Sequence, residues 1–253
     1  VKIVVLKIEK AIGNENVILY PTLIQINGKN YLVDCGYEET TAELELALKG
    51  INIEIADLTG VIITHDDHDH LGGLNSLKQK NRALKVFCGE FEKDSVSGRI
   101  KSERLVQAES LFDSLPDESK SWASGFIRQV KKVKRFDADR VFKDNDVFED
   151  EIIVIHTPGH TKGHISLFCP KEQIFIAGDS VVIENGAFNI ANPAFTLDME
   201  QAIKSVEKII NLAPRKIICY HGGIIDENIN ENLKTLIDKY KNYTNNLVLR
   251  GLE

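Results

Sequence analysis

The feature that most limits what this chain can become is an apolar run, Leu58 to Ile63, opening directly onto Thr64-His65-Asp66-Asp67-His68-Asp69-His70-Leu71-Gly72-Gly73. All six residues from His65 to His70 are of metal-ligating type. Packed this closely, the carboxylates repel one another unless a cation absorbs their charge. A strand ending in such a loop can aim several ligands at one point, so the stretch reads as half of a dinuclear metal site. Gly72 and Gly73 are expected to let the chain turn tightly, after which Leu74 and Leu77 begin a helix.

The rest of the chain repeats the scheme of an apolar strand ending in a ligand-type residue. Lys2 to Ile8, Val17 to Ile26 and Tyr31 to Val33 are predicted strands, and Asn27-Gly28 between the last two is a hairpin signal. Thr40 with Glu43 predicts a capping box for a helix through Leu48. Val61 to Thr64 and Val86 to Cys88 are short strands. In the second half, Ile152 to Ile155 leads to Thr157-Pro158-Gly159-His160, and Ile165 to Phe168 is a further strand. Ile174 to Ala177 then ends at Gly178-Asp179, and Ile217 to Cys219 leads to His221-Gly222-Gly223. Met199, Ala202, Ile203, Val206 and Ile210 have helical spacing, and a last amphipathic helix covers about Glu231 to Tyr243. Four segments therefore end on metal-type residues: His65/Asp67/Asp69/His70, His160, Asp179 and His221. Two β-then-α halves predict an α+β fold, an αββα sandwich with two sheets inside and helices outside.

Composition narrows the function. With 253 residues, 43% hydrophobic and 27% charged, the chain suits one large domain. A net charge of −7 argues against a nucleic-acid or anionic-membrane partner, leaving a small-molecule substrate; the oligomeric state is open. Cys35, Cys88, Cys169 and Cys219 form no CxxC pair and lie beside apolar runs, which predicts buried free thiols and a cytoplasmic setting. The first ten residues read as a strand rather than a signal peptide, and no apolar run is long enough to span a membrane. A polar, helix-like stretch, Phe91 to Arg135, carries Trp122 and Phe126 and reads as an insertion over the site. A solvated connection without a binding role is the competing reading.

Together the series His65-x-Asp67-x-Asp69-His70, Thr157-Pro158-Gly159-His160-Thr161-x-Gly163-His164, Gly178-Asp179 and His221-Gly222 resembles the metallo-β-lactamase fold superfamily, nearly throughout the chain outside the insertion. The resemblance implies a first metal position with His65, Asp67 and His160. It implies a second with Asp69, His70 and His221, and Asp179 bridging the two. It implies a hydrolase in which a bridging hydroxide attacks an ester, lactone, thioester or related bond, with Asp69 orienting the nucleophile or taking its proton. Asn192 to Asp198 also looks like the single-domain hydrolases of that group, with Thr196 expected to cap the Met199 helix.

One position departs from the pattern. The superfamily usually has His-x-His-x-Asp-His, and its second His falls on Asp67; a slipped register with His68 as ligand stays open. A carboxylate there adds negative charge, making a weaker Lewis acid and shifting preference toward harder ions. Zinc is the first expectation, with iron or manganese next. The flavodiiron branch carries a Glu at this position, so a redox di-iron protein without a flavodoxin domain is the alternative function, and a non-catalytic binding module a third. Lactonases of the superfamily carry a Tyr where Val182 stands, and the helical domain of glyoxalase II is not expected. Asp34 is expected to support the ligands by hydrogen bonding or to form a turn. His156 is expected to pack and His164 to make a supporting hydrogen bond. Tyr37 and Tyr220 line the cleft or fill an edge.

Overall fold

A computed structural model of the protein describes residues 1–13 and 15–250, with side chains in the last helix described as far as Lys241. The chain divides into two compact units, Val1–Lys143 and Asp144–Glu253.

The first unit runs β1 (Lys2–Val5), β2 (Ile8–Ile12), β3 (Glu15–Leu19), β4 (Thr22–Ile26), β5 (Lys29–Val33), α1 (Thr41–Lys49), β6 (Gly60–Ile63), α2 (His68–Leu71), α3 (Leu74–Lys80), β7 (Lys85–Gly89), α4 (Lys93–Val96), α5 (Glu103–Leu111), α6 (Asp117–Lys132) and β8 (Arg140–Phe142). Its six-stranded sheet has the order β1-β4-β5-β6-β7-β8. The β4–β5 hairpin turns at Asn27-Gly28, both at positive φ, as the dipeptide predicts. The expected Val17 to Ile26 strand is instead two, β3 and β4, separated by Tyr20-Pro21. Proline has no N–H to continue a ladder, and its carbonyl accepts from Leu6 N at 2.8 Å. Strands β5 to β8 are parallel. All four residues of β6 are buried, the continuous apolar pattern of a strand covered on both faces. Parallel pairing of β5 and β6 brings their C-terminal ends to the same end of the sheet, where Asp34 and His65 follow.

The second unit runs β9 (Val147–Phe148), β10 (Ile152–His156), β11 (Ile165–Cys169), β12 (Ile174–Ile176), β13 (Val182–Glu184), β14 (Ala187–Asn189), α7 (Met199–Leu212), β15 (Lys216–Cys219), β16 (Gly223–Ile225) and α8 (Ile229–Arg250). Its six-stranded sheet has the order β16-β15-β12-β11-β10-β9, antiparallel except for β12 with β15. Val206 and Ile209 of α7 and Leu233 and Leu236 of α8 pack with Phe175 and Ile217 in one apolar cluster. Each such side chain contributes about 1.5–3 kcal/mol on burial. The stripe expected from Met199 to Ile210 is the face α7 turns to this cluster.

Two caps differ from expectation. The Thr40 hydroxyl donates to Tyr37 O at 3.0 Å rather than closing a capping box, because a 3₁₀ turn, Glu38–Thr40, precedes α1. At α7 the cap is Asp198, whose carboxylate accepts from Gln201 N at 2.9 Å, while Thr196 donates to Ala191 O.

Candidate metal centre

In the first unit, the loop after β6 is held from behind by Asp34. Asp34 is fully buried and sits at φ +58°, a left-handed conformation that Asp tolerates better than most residues. Its carboxylate accepts from Thr64 N at 2.8 Å, from Thr64 Oγ1 at 2.8 Å and from His70 Nδ1 at 2.9 Å. Those contacts fix two imidazole tautomers. The His70 proton lies on Nδ1, facing the carboxylate. The Thr64 hydroxyl proton is committed to Asp34, so the His65 Nδ1 that lies 3.0 Å from Thr64 Oγ1 must be its donor. Both rings therefore keep a lone pair on Nε2. His65 Nε2 lies 3.5 Å from Asp67 Oδ2, and His70 Nε2 lies 3.6 Å from Asp69 Oδ2. Gly72 and Gly73 form the turn between α2 and α3, as expected, with φ of −60° and −70° rather than a left-handed conformation. A Cβ on Gly73 would meet Cys35 O at 2.4 Å and one on Gly72 would meet His68 O at 2.3 Å; only glycine lets the loop close on the β5 end.

In the second unit, Asp179 stands between two imidazoles. Its Oδ2 lies 3.6 Å from His160 Nε2 and its Oδ1 lies 3.6 Å from His221 Nε2, so each oxygen addresses a different ring. Behind it, His164 Nε2 accepts from Asp179 N at 2.9 Å. Its Nδ1 must then donate to Thr157 Oγ1 at 2.8 Å, and the chain continues through Ser166 Oγ to Ala177 O. Both His164 nitrogens are thus used in supporting bonds, the role expected from its place in the motif. Gly159, at φ +141°, lets the Pro158-Gly159-His160 turn meet α7: a Cβ there would lie 2.4 Å from Ala202 N.

The donor set fits divalent metal ions. It offers imidazole Nε2 lone pairs and carboxylate oxygens. Their 3.5–3.6 Å separations are too long for hydrogen bonds but close to the edge, about 3.4 Å, of a tetrahedron with zinc–nitrogen bonds of about 2.0–2.1 Å. Nδ1 donation to a carboxylate, as His70 makes to Asp34, is the usual orienting contact of a metal-binding imidazole.

Sequence reasoning missed two arginines. Arg104, on α5 and 3% exposed, donates Nε to Asp67 Oδ1 at 3.2 Å and Oδ2 at 3.1 Å, and Nη2 to Oδ2 at 2.8 Å. Burial by itself would lower the guanidinium pKa, but the charge and hydrogen bonds of Asp67, with the charges of Asp69 and Asp66, outweigh it and raise it. Arg135 Nη1 donates to Asp66 Oδ2 at 3.3 Å and to Ser95 O at 2.7 Å. Burial pushes Asp66 up to about 6, opposed by Arg135 and reinforced by Asp67. The expectation that Asp67 leaves extra negative charge at its position is therefore corrected, since a guanidinium lies on that carboxylate. The signal was present in the three carboxylates between His65 and His70, which call for cations, but nothing in the sequence singles out which arginines supply them.

Residues 91–135 contain α4, α5 and α6. From α6, Phe126 meets the His68 ring edge-on at 5.4 Å, and Trp122 stacks on Phe126. Tyr37 meets His68 from another direction at 5.0 Å. His68 Nδ1 lies 4.0 Å from Asp69 Oδ1. His156 Nε2 lies 2.8 Å from Lys162 O. Tyr220 is buried and packs edge-on against His221. All four cysteines are free and buried, as expected. No helix among the described residues is long and apolar enough to cross a membrane.

The chain is similar to several known proteins. It is 25% identical over 223 residues to a beta-lactamase-like protein 2 homolog of Drosophila melanogaster, covering 88% of this chain and 63% of that protein. A probable metallo-hydrolase of Bacillus subtilis is 27% identical over 210 residues, covering 76% of this chain and 74% of its own length. The solved structure of a metallo-beta-lactamase family protein from Thermus thermophilus superposes with a TM-score of 0.73 at 20% identity, covering 94% of this chain and 79% of that one. That likeness shows the fold, of the α+β class expected from the sequence. The sequence profile of the superfamily matches residues 20–221, from Tyr20, just before β4, through His221. The chain belongs to the metallo-beta-lactamase superfamily.

Proposed function

We propose that this protein is a metal-dependent hydrolase with a dinuclear centre. In this reading His65, Asp67 and His160 hold one ion, Asp69, His70 and His221 hold the other, and Asp179 bridges them. The observation that carries the proposal is the placement of His160 and His221 Nε2 at 3.6 Å from different oxygens of Asp179, the arrangement a bridging carboxylate requires. The Nδ1 contacts of His65 and His70, which leave Nε2 as the donor, support it.

Two divalent ions so held would supply a Lewis acid and a water made acidic near neutral pH. The chain's own residues do the rest. Asp34 and His164 keep the ligands oriented. Asp69, partly exposed at the loop, orients the attacking water and takes its proton. The proposed substrate is a small molecule with an ester, lactone or thioester bond, consistent with the metallo-hydrolase name of the Bacillus relative. Zinc is the first proposed metal, with iron or manganese next. The net charge of −7 argues against nucleic acid as substrate, and the free buried thiols favour a reducing, cytoplasmic setting.

The test is elemental analysis of protein purified without added metal, followed by assay against a panel of esters, lactones, thioesters and phosphodiesters. About two ions per chain are expected. Asp69→Asn should lose roughly a hundredfold or more in turnover while staying folded. Protein that binds no metal even after reconstitution would overturn the centre. Full activity of Asp69→Asn on every substrate turned over would overturn the mechanism, and oxygen consumption by an iron-loaded form would favour the di-iron reading.

A further inference from the structure

The segment 91–135 brings a charge to the loop after β6. Arg104 lies 37 residues beyond Asp67 in sequence, yet its guanidinium engages both oxygens of that carboxylate. The contact is built rather than incidental. Ser102 caps α5 by accepting from Leu105 N at 3.1 Å, which fixes the first turn that carries Arg104. Gln107, one turn along, accepts from Arg104 Nη1 at 2.7 Å and steers the planar group. Both partners are buried, at 3% and 7% exposure, where a charge pair is weakly screened.

We propose that Arg104 is a positioning residue that sets the metal affinity and metal preference of the position Asp67 serves. This rests on the dinuclear reading above. A carboxylate paired with a guanidinium presents no net charge, as a neutral imidazole would. The pair therefore lets an oxygen ligand stand at this position without the added negative charge that would bind hard divalent ions more tightly and quench their Lewis acidity. The fork also occupies lone pairs on both Asp67 oxygens, so the carboxylate is offered to an ion through what remains, at a fixed angle. The insertion that carries α5 thus tunes the centre chemically.

The experiment is a metal titration by chelator competition, with zinc and manganese separately, on wild type, Arg104→Gln and Arg104→Lys, each checked for bound metal by elemental analysis. Arg104→Gln removes the positive charge, so one of the two metal equivalents should bind about tenfold tighter or more, with a larger gain for manganese than for zinc. Arg104→Lys keeps the charge and should stay near wild-type affinity. The same comparison is made in an Asp67→Asn background, where Arg104 is left as an uncompensated cation. Asp67→Asn with Arg104→Gln should bind that equivalent at least about tenfold tighter than Asp67→Asn alone, which carries the test if Arg104→Gln by itself does not fold. If both affinities and the zinc-to-manganese ratio are unchanged in every pair, Arg104 only glues the insertion to the loop and the proposal is wrong. A wild type that binds no metal would instead overturn the dinuclear reading, so the two failures are distinct.

Discussion

His70 Nδ1 donates to Asp34 Oδ2 at 2.9 Å, between two fully buried side chains, one just past the end of β5 and the other on α2, which follows the neighbouring parallel strand β6. This single bond commits the ring's other nitrogen, Nε2, to the side where Asp69 lies. It also explains why Asp34 is held at φ +58°: that backbone conformation aims the carboxylate at Thr64 and His70 together.

Asp34→Asn should keep the left-handed conformation, since Asn tolerates it, but remove the charge that holds the His70 proton on Nδ1. Metal affinity should fall about 10–100-fold, as for other partners of ligating imidazoles. Chelator competition measures it. Unchanged affinity would mean that Asp34 serves only to shape the turn.

Asp67→His restores the commoner ligand pattern but strands the Arg104 guanidinium in a buried place. Urea unfolding should show a loss of about 3 kcal/mol. Adding Arg104→Leu should recover most of it, and the double variant should favour zinc over iron and manganese more than wild type does. Should Asp67→His prove as stable as wild type, the ion pair is not what holds this corner of the fold.

Trp122→Ala and Phe126→Ala remove the stacked rings that lean on His68, next to Asp69. Trp122 is largely exposed, so its loss should cost little stability. If these rings bind the apolar part of a substrate, the ranking of substrates in a mixed panel should change. A uniform fall across the panel would make the pair a structural brace.

Burial pushes the thiols of Cys88 and Cys169 up to about 12 and raises those of Cys35 and Cys219 well above the ordinary thiol range. The thiolate is the reactive form. Ellman's reagent should therefore find almost no reactive thiol in the native protein at neutral pH and four after unfolding in guanidinium. A thiol that reacts at once in the native state would mark a local opening of its strand.

The hairpin at Asn27-Gly28, the apolar strand β6 and the stripe on α7 were legible because each is a local pattern: two turn residues, a run, a period. The ligand-type residues were legible for a similar reason, because His65, His160, Asp179 and His221 each follow an apolar strand. Caps were less so. Thr40 and Glu43 have the right spacing for a capping box, but the 3₁₀ turn before α1 gives the Thr40 hydroxyl a closer partner.

The sequence by itself determined the family, the strand-end ligand types and the buried thiols, because composition and short-range spacing decide these. Only the tertiary structure decided that both oxygens of Asp67 face Arg104, that Asp66 belongs to Arg135, and that Gly72 and Gly73 serve close backbone approach as well as the turn. Charged residues carry no mark of their partner along the chain. Arg104 is one of 31 basic residues, and the pairing is set by where α5 places it after the loop and the sheet have formed.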